Sequence, residues 1–206
     1  MYIPKHYLVE DREKILPFMR ANSFATLITS EGNVPVATHL PFVIEEYGET
    51  IRLMSHLALA NAQWKSFESD CEALVIFQGP HAYISPEHYE HKQNVPTWNY
   101  AVVHAYGVPM ILKGEGHERA IVAAIHSFQA TYKQQYDELP SDYKRKMING
   151  TVAFEINVTR LEAKHKLSQN RSVPEQTRLA ESLVKIENQA AAEIGKMMKG
   201  NLSNGA

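Results

Sequence analysis

The chain has little of three things that mark common functional classes: cysteine, long apolar runs and net charge. Cys71 is the single cysteine among 206 residues, which excludes an internal disulfide framework and a cysteine metal cluster. No apolar run approaches the roughly 18 residues that a membrane-spanning helix needs. A net charge of -2 supplies no general attraction to nucleic-acid phosphates, although it leaves room for a local basic patch.

Several motifs of catalysis and targeting are missing as well. The sequence has no glycine-rich phosphate loop, no dinucleotide fingerprint and no nucleophile elbow. Cys71 lies among acidic residues, a context that disfavours a reactive thiolate. The first residues contain no apolar segment of the kind found in signal peptides. We therefore expect a cytoplasmic protein without cysteine catalysis.

Length and composition indicate a globular chain with one core. At 206 residues, 44% of them hydrophobic and 21% charged, the chain is long enough for one well-buried core and short for two. We find no shift in composition that marks a boundary. A single domain over residues 1–206 is therefore expected, with a disordered tail over 200–206.

Hydrophobic periodicity predicts an α+β protein that is mainly β. Alternating segments at 24–29, 34–38 and 50–54 are separated by turn residues at 30–33 and 45–49, which is typical of antiparallel meanders. Further strands are expected over 40–44, 73–78, 81–85, 100–112 and 151–161, and helices over 11–21, 59–68, 118–135 and about 175–198. The short links favour a closed or partly closed antiparallel barrel with peripheral helices and a C-terminal helix.

Three polar-aromatic segments, residues 79–86, 95–100 and 166–171, are the strongest functional signal. Residues 79–86 and 95–100 contain aromatic rings beside hydroxyls or amides, and residues 166–171 add amides and a hydroxyl. None of the three segments contains an acid, so together they suit the enclosure of a planar cofactor better than acid–base catalysis. An isolated Trp98 would by default be a core residue beside a turn. Its neighbour Asn99 would be costly to bury without partners, which favours a surface that faces a ligand.

The segment 54–64 links a strand to a helix and offers a possible phosphate site. Backbone N–H groups at a helix start attract phosphate, and Ser55, His56 and Asn61 would add donors. The alternative is an ordinary helix cap made by Ser55 or Asn61.

Two further patterns are weaker. His88 and His91 have a spacing that suits two metal ligands on a helix, but Pro86 precedes them and a solvated loop is the better interpretation. The basic run 144–146 is most simply a solvated face, since no helix-turn-helix pattern surrounds it.

Together these segments resemble the PaiB family, the FMN-binding negative transcriptional regulators of bacteria. The matching segments run nearly end to end: 1–6, 39–42, 55–64, 77–86, 95–107 and 166–171. One departure is Leu59, where the family pattern has a basic residue. The resemblance implies an FMN-binding split β-barrel, a flavin held between the two protomers of a homodimer, and repression of sporulation and protease genes.

The resemblance also implies the residues that contact the cofactor. They are Ser55, His56, Asn61, Gln63, Trp64, Thr97, Trp98, Asn99, Lys166, Ser168 and Gln169. Two alternative functions remain open: a flavin-dependent oxidoreductase that acts on a small molecule, and a haem-binding protein on the same fold. No catalytic side chain and no metal ligand are expected, and direct DNA binding is expected to be weak and without sequence preference.

Overall fold

The computed structural model describes residues 1–69, 71–90 and 93–203. Its contacts divide the chain into two compact units. The first unit comprises Met1–Ile15, Gln78–Val103 and Glu162–Ala206, and the second comprises Leu16–Phe77 and His104–Leu161. Because each unit draws on separate stretches of chain, the extent of the single domain expected from the sequence stays a prediction.

The elements follow the expected meander with several shifted bounds. The strands are β1 Leu8–Val9, β2 Phe24–Glu31, β3 Val34–Pro41, β4 Val43–Tyr47, β5 Thr50–Ala58, β6 Ala73–Ile84, β7 Thr97–Gly107, β8 Pro109–Ile111, β9 Thr151–Asn157 and β10 Arg160–Lys166. The α-helices are α1 Arg12–Ala21, α2 Glu115–Gln129, α3 Tyr132–Glu138, α4 Ser141–Asn149, α5 Val173–Val184 and α6 Gln189–Ser203. Short 3-10 helices cover Lys5–Tyr7, Ala62–Ser69 and Pro86–His88.

In the first unit, β1, β10, β7 and β6 are neighbours in that order. β1 pairs antiparallel with β10, so that Leu8 faces Lys164. Helices α5 and α6 pack on each other, and their apolar side chains form a buried cluster with residues of β6. Ser172 and Glu175 form a reciprocal capping box that starts α5.

The prediction of one C-terminal helix over 175–198 is wrong, because the structure has two helices there. α5 ends at Val184, and the Asn188 side chain accepts a hydrogen bond from the Ala191 N–H at 3.0 Å, which starts α6. Folding back buries Ile194 and Met198 in the same cluster as residues of α5. The helix also extends to Ser203, so the expected disorder is wrong for 200–203, whereas 204–206 lie outside the described residues.

In the second unit, β6, β2 and β3 are neighbours, and a four-stranded sheet runs β4, β5, β9, β8. All the pairings given for these strands are antiparallel. Phe42 anchors the core, with its ring edge-on to Phe77 at 6.0 Å and to Phe154 at 6.1 Å. Both sheets have edge strands, and the described residues form no closed barrel.

Local differences from the expected elements have physical causes. The strands expected at 73–78 and 81–85 are one strand, β6, which continues through Pro80. The strand expected over 100–112 ends at Gly107, where an added Cβ would lie 2.3 Å from the Asn157 carbonyl oxygen. The helix expected over 118–135 is divided into α2 and α3, and α4 was not expected.

The class expected from the sequence, antiparallel α+β of the split-barrel type, is confirmed. Within the described residues, no helix combines the length and apolarity required to cross a membrane.

Candidate functional site

A buried amide–hydroxyl pair organises the first unit near the start of β7. The Asn99 side chain is fully buried and donates to the Ser168 hydroxyl at 2.9 Å, which donates in turn to the Asn99 carbonyl oxygen at 3.2 Å. Ser168 has a φ of 63°, a left-handed backbone that is uncommon outside glycine. The pair therefore fixes the turn after β10 against β7, and the satisfied bonds offset the burial of a polar group.

Lys166 stands beside this pair and is the central charged group. Its ammonium donates to the Thr97 hydroxyl, and within the described part of the chain it has no ion-pair partner. Burial, with a smaller effect from Lys164, lowers the pKa of Lys166 from its ordinary value. A cation that is partly desolvated and bonded only to a hydroxyl is suited to receive an anion.

These residues line a cavity of about 220 Å³, which we call the Lys166 cavity. Its lining consists of Tyr7, Tyr89, Val95, Pro96, Thr97, Asn99, Lys166, Ser168, Asn170 and Arg171. The Arg171 guanidinium lies 3.8 Å from the centre of the Tyr89 ring, and Tyr7 donates to Asn170 at 3.1 Å. Among the lining residues that the structure describes, two are cations and none is a carboxylate, so the cavity favours an anionic group beside aromatic rings.

A nearby acid, Glu175, lies outside the described lining of the cavity. The Glu175 carboxylate accepts hydrogen bonds from the Glu90 N–H and from Ser172. These bonds, with a contribution from Arg171, lower the pKa of Glu175. Glu175 is thus engaged in capping α5, and it is absent from the cavity lining.

Gln169 and Trp98, also expected as cofactor contacts, occupy other positions. The Gln169 side chain accepts from the Leu167 N–H at 2.7 Å and donates to the His165 carbonyl at 2.6 Å. It therefore holds its own turn together. Trp98 alternates with Asn99 along β7, and its ring is 51% exposed beside Tyr83 at 5.9 Å.

The second unit contains a different polar cluster, which we call the Gln63 network. The buried Gln63 amide accepts from Thr38 at 2.5 Å and donates to Thr29 and to the Val36 carbonyl, each at 3.1 Å. Asn61 donates to Thr38 at 3.0 Å and accepts from the Gln63 N–H at 3.0 Å. The network attaches the 3-10 helix to the β2–β3 hairpin and uses its amides internally.

Three more expected contact residues lie in this unit, and two of them, Ser55 and Trp64, have internal hydrogen-bond partners. Ser55 is buried in β5 and donates to the Pro41 carbonyl at 2.7 Å. Trp64 donates to the Leu59 carbonyl at 3.1 Å. His56 is half-buried, and burial, followed by the neighbouring His117, lowers its pKa.

The sequence predicted that Ser55, His56 and Asn61 stand together at the start of a helix as phosphate donors, and the structure separates them. Ser55 and His56 lie within β5, and only Asn61 stands at the beginning of the 3-10 helix, which it caps. The capping alternative therefore describes Asn61 correctly.

Metal binding receives no support from the described residues. No group of three or more histidine, cysteine or acidic side chains comes together among them as a possible metal site. His88 closes a short 3-10 helix, and His91 lies outside the described residues.

The sequence did not indicate the parts of the Lys166 cavity that arrive from distant segments. Tyr7 is placed by the pairing of β1 with β10, and Tyr89 follows the 3-10 helix after β6. Neither tyrosine has a distinctive local pattern. Their positions in the cavity depend on contacts between segments that are far apart in the sequence.

Comparison with protein families gives one match that covers most of the chain. The family described as "Putative FMN-binding domain" matches residues 1–160. A curated relative, "Protease synthase and sporulation protein PAI 2" of Bacillus subtilis, is 36% identical over 204 residues, which is 98% of each chain.

Solved structures agree on the fold at low identity. The FAD and haem binding protein of Mycobacterium smegmatis superposes with a TM-score of 0.61 at 15% identity, covering 82% of this chain and 78% of that chain. A flavocytochrome of Azotobacter vinelandii gives 0.57 at 14% identity, covering 80% and 72%. At such identities the similarity shows the fold alone.

Proposed function

The chain belongs to the PaiB family of FMN-binding domains, and from this premise we propose that it binds FMN as its cofactor. The observation that carries the proposal is the Lys166 cavity, whose described lining residues include two cations and no carboxylate. FMN joins a phosphate to a flat ring system. The cations suit the phosphate, and the aromatic side chains of Tyr7 and Tyr89 in the lining suit the ring system.

The size of the cavity indicates that one protomer holds only part of the cofactor. Its volume of about 220 Å³ is below the ~300–1,000 Å³ of typical ligand pockets. The exposed rings of Trp98 and Tyr83 form an aromatic surface on neighbouring strands, and such surfaces mark protein contacts. In our proposal a second copy covers this surface and completes the flavin site, which makes the protein a homodimer.

Within the site, Thr97 and Lys166 contact the cofactor directly. Asn99 and Ser168 line the cavity and hold its wall, and Gln169 stabilises the turn that carries Lys166. Contacts from the second unit stay predictions for Ser55, His56, Asn61, Gln63 and Trp64.

Calorimetry with FMN and riboflavin tests the cofactor assignment. We expect stoichiometric FMN binding and clearly weaker riboflavin binding, because riboflavin lacks the phosphate that Lys166 attracts. Equal affinities for FMN and riboflavin would contradict the assignment of the FMN phosphate to the Lys166 cavity. Light scattering at micromolar concentration should give a dimer with FMN present, and a monomer would exclude a shared flavin site.

The biological role that we propose is negative regulation of sporulation and protease genes, which is the role that the resemblance to the PaiB family implies; the name of the Bacillus relative mentions a protease synthase and sporulation. Direct DNA reading is not part of the proposal. In α4, Arg145 pairs with Asp142 at 3.4 Å, Lys144 is half-buried and Lys146 is exposed, so the run 144–146 forms a basic patch that is too short to carry DNA binding alone. A gel shift at physiological salt should show only weak, unselective binding. Nanomolar binding to one promoter would contradict this, and steady NADH oxidation would favour the oxidoreductase alternative.

A further inference from the structure

The second unit contains a larger cavity that the proposed flavin site does not use. It has a volume of about 490 Å³ and lies among β5, α2, α3 and α4. This size is within the ~300–1,000 Å³ of ligand pockets. Its walls are mainly apolar, with Ile121, Ile125, Phe128, Met147 and Ile148 among the lining side chains. We call it the Tyr136 cavity.

One lining residue, Tyr136, has a polar atom without a hydrogen-bond partner among the described residues. Tyr136 is 8% exposed, and its hydroxyl oxygen is buried without a hydrogen bond there. Leaving a buried donor unsatisfied costs about 1–3 kcal/mol, so such atoms usually face a missing partner. Burial, followed by the charge of Glu118, raises the pKa of Tyr136. The phenol therefore keeps its proton and is available as a donor.

Lys144 supplies the positive charge of the cavity. Its ammonium lies 5.3 Å from the centre of the Tyr136 ring and donates to the Asp137 carbonyl at 3.2 Å. An ammonium has three donors, so donors remain for a ligand. Among the lining residues described, Lys144 carries the one permanent charge, and no carboxylate accompanies it.

The imidazoles near the cavity do not add charge at neutral pH. His56 lines the cavity, and burial, followed by His117, lowers its pKa. Burial lowers the pKa of His117 as well, and its ring is within 2.8 Å of the Thr151 hydroxyl. The described lining thus includes one cation, the Tyr136 phenol and an extended apolar wall, whereas Glu118 and Asp137, whose charges raise the pKa of Tyr136, lie outside that lining.

We propose that the Tyr136 cavity binds a small organic carboxylate with an aromatic or branched aliphatic body. The carboxylate accepts hydrogen bonds from the Tyr136 hydroxyl and the Lys144 ammonium, and the body packs against the apolar side chains of α2 and α4. The ligand is distinct from the flavin, so this inference does not depend on the proposed cofactor.

A titration with 1-naphthoate, a fluorescent aromatic carboxylate, tests the proposal on the full chain with and without FMN. Tyr136→Phe removes only the unpaired hydroxyl, and Lys144→Met removes the charge. Each should weaken binding about tenfold, the loss expected for one hydrogen bond to a charged group. The neutral analogue 1-naphthamide should bind more weakly to the unsubstituted chain.

A matched control keeps the result interpretable. Tyr47 is 71% exposed on β4 and absent from the cavity lining, so Tyr47→Phe should leave naphthoate affinity unchanged. Tyr136→Phe should unfold at the same urea concentration as the unsubstituted chain or higher, which separates loss of binding from loss of folding.

Three outcomes overturn the proposal. One is the absence of saturable naphthoate binding, and another is equal affinity in the Tyr136→Phe and unsubstituted chains. The third is competitive displacement of naphthoate by FMN, which would assign the cavity to the flavin. If no probe binds and Phe128→Glu converts a dimer to a monomer, the cavity is instead a contact between copies of the chain.

Discussion

The Gln63 network and the Lys166 cavity are built from similar residue types, yet their bonding differs. In the Gln63 network the side-chain amides are bonded to protein groups on both sides. In the Lys166 cavity the central cation has a hydroxyl as its described partner and faces open space. Polar richness in a sequence is therefore not enough to identify a ligand site. A charge left without a counter-charge is the more specific sign.

The largest expected effect is on stability and comes from the saturated network. Gln63→Ala removes the bonds to Thr38 and Thr29 and leaves buried groups unsatisfied. We expect the free energy of unfolding to fall by about 3 kcal/mol. Urea denaturation measures this change. FMN affinity of the remaining folded protein tests the predicted cofactor contact of Gln63: a selective loss of FMN binding would support that contact, and an unchanged affinity would limit Gln63 to the network.

The second prediction concerns the charge of Lys166, which has no ion-pair partner among the described residues. Lys166→Met should weaken FMN binding about 10–100-fold, because a charge-assisted hydrogen bond contributes roughly 1.5–3 kcal/mol. The unfolding midpoint without FMN should not fall, since the substitution also removes a partly desolvated charge. Quenching of flavin fluorescence gives the affinity. The substitution Lys65→Met, at an exposed lysine, is the matched control. An equal loss of FMN affinity in both variants would show that Lys166 acts only through the net charge of the protein.

The third prediction concerns the Asn99–Ser168 pair, whose side chains are bonded to each other and also line the Lys166 cavity. Ser168→Ala should lower stability by about 1–2 kcal/mol, because the fully buried Asn99 amide loses its hydroxyl partner. A double-mutant cycle with Asn99→Ala should show a coupling energy of about 1 kcal/mol. Strict additivity would show that the two side chains do not depend on each other.

The smallest expected effect is acid sensitivity in the second unit. His56 and His117 have lowered pKa values in the folded chain because of burial, whereas unfolded imidazoles titrate near ~6.5. The unfolded state therefore binds more protons below that pH, so stability is complete above it and falls as the pH drops through it.

Paired variants measure this acid effect. His56→Gln should reduce the loss of stability between neutral and mildly acidic pH by about 0.5 kcal/mol or less, since solvent screens half-buried groups. Urea midpoints at matched pH values give the result. The exposed His39→Gln is the control, and an identical change in both variants would contradict the assignment to His56.

Much of the fold was predictable because its signals are local. The turns at Gly32 and Gly48, both with a φ of 60°, follow from turn residues between alternating segments. The break between α5 and α6 was not predictable in the same way. It depends on burying Ile194 and Met198 against a helix that precedes them, and helical periodicity continues through the break without a strong stop signal.

The site was predictable only where its residues belong to short segments with a recognisable composition. Thr97 and Asn99 lie in segment 95–100 and Lys166 lies in segment 166–171, and the structure brings them together. Tyr7 and Tyr136 were not identified, because their roles come from long-range pairing and from a missing hydrogen-bond partner. Neither property is visible along a one-dimensional chain.

The tight approach at Gly107 has a consequence for how the gene tolerates mutation. Any other residue brings a Cβ to 2.3 Å from the Asn157 carbonyl oxygen and 2.7 Å from an Ile156 methyl group. Each amino-acid change at that codon therefore meets the same steric barrier, whatever the chemistry of the new side chain. In a saturation library selected for folded protein, we expect position 107 to return almost only glycine, whereas the exposed turn position 48 should accept asparagine.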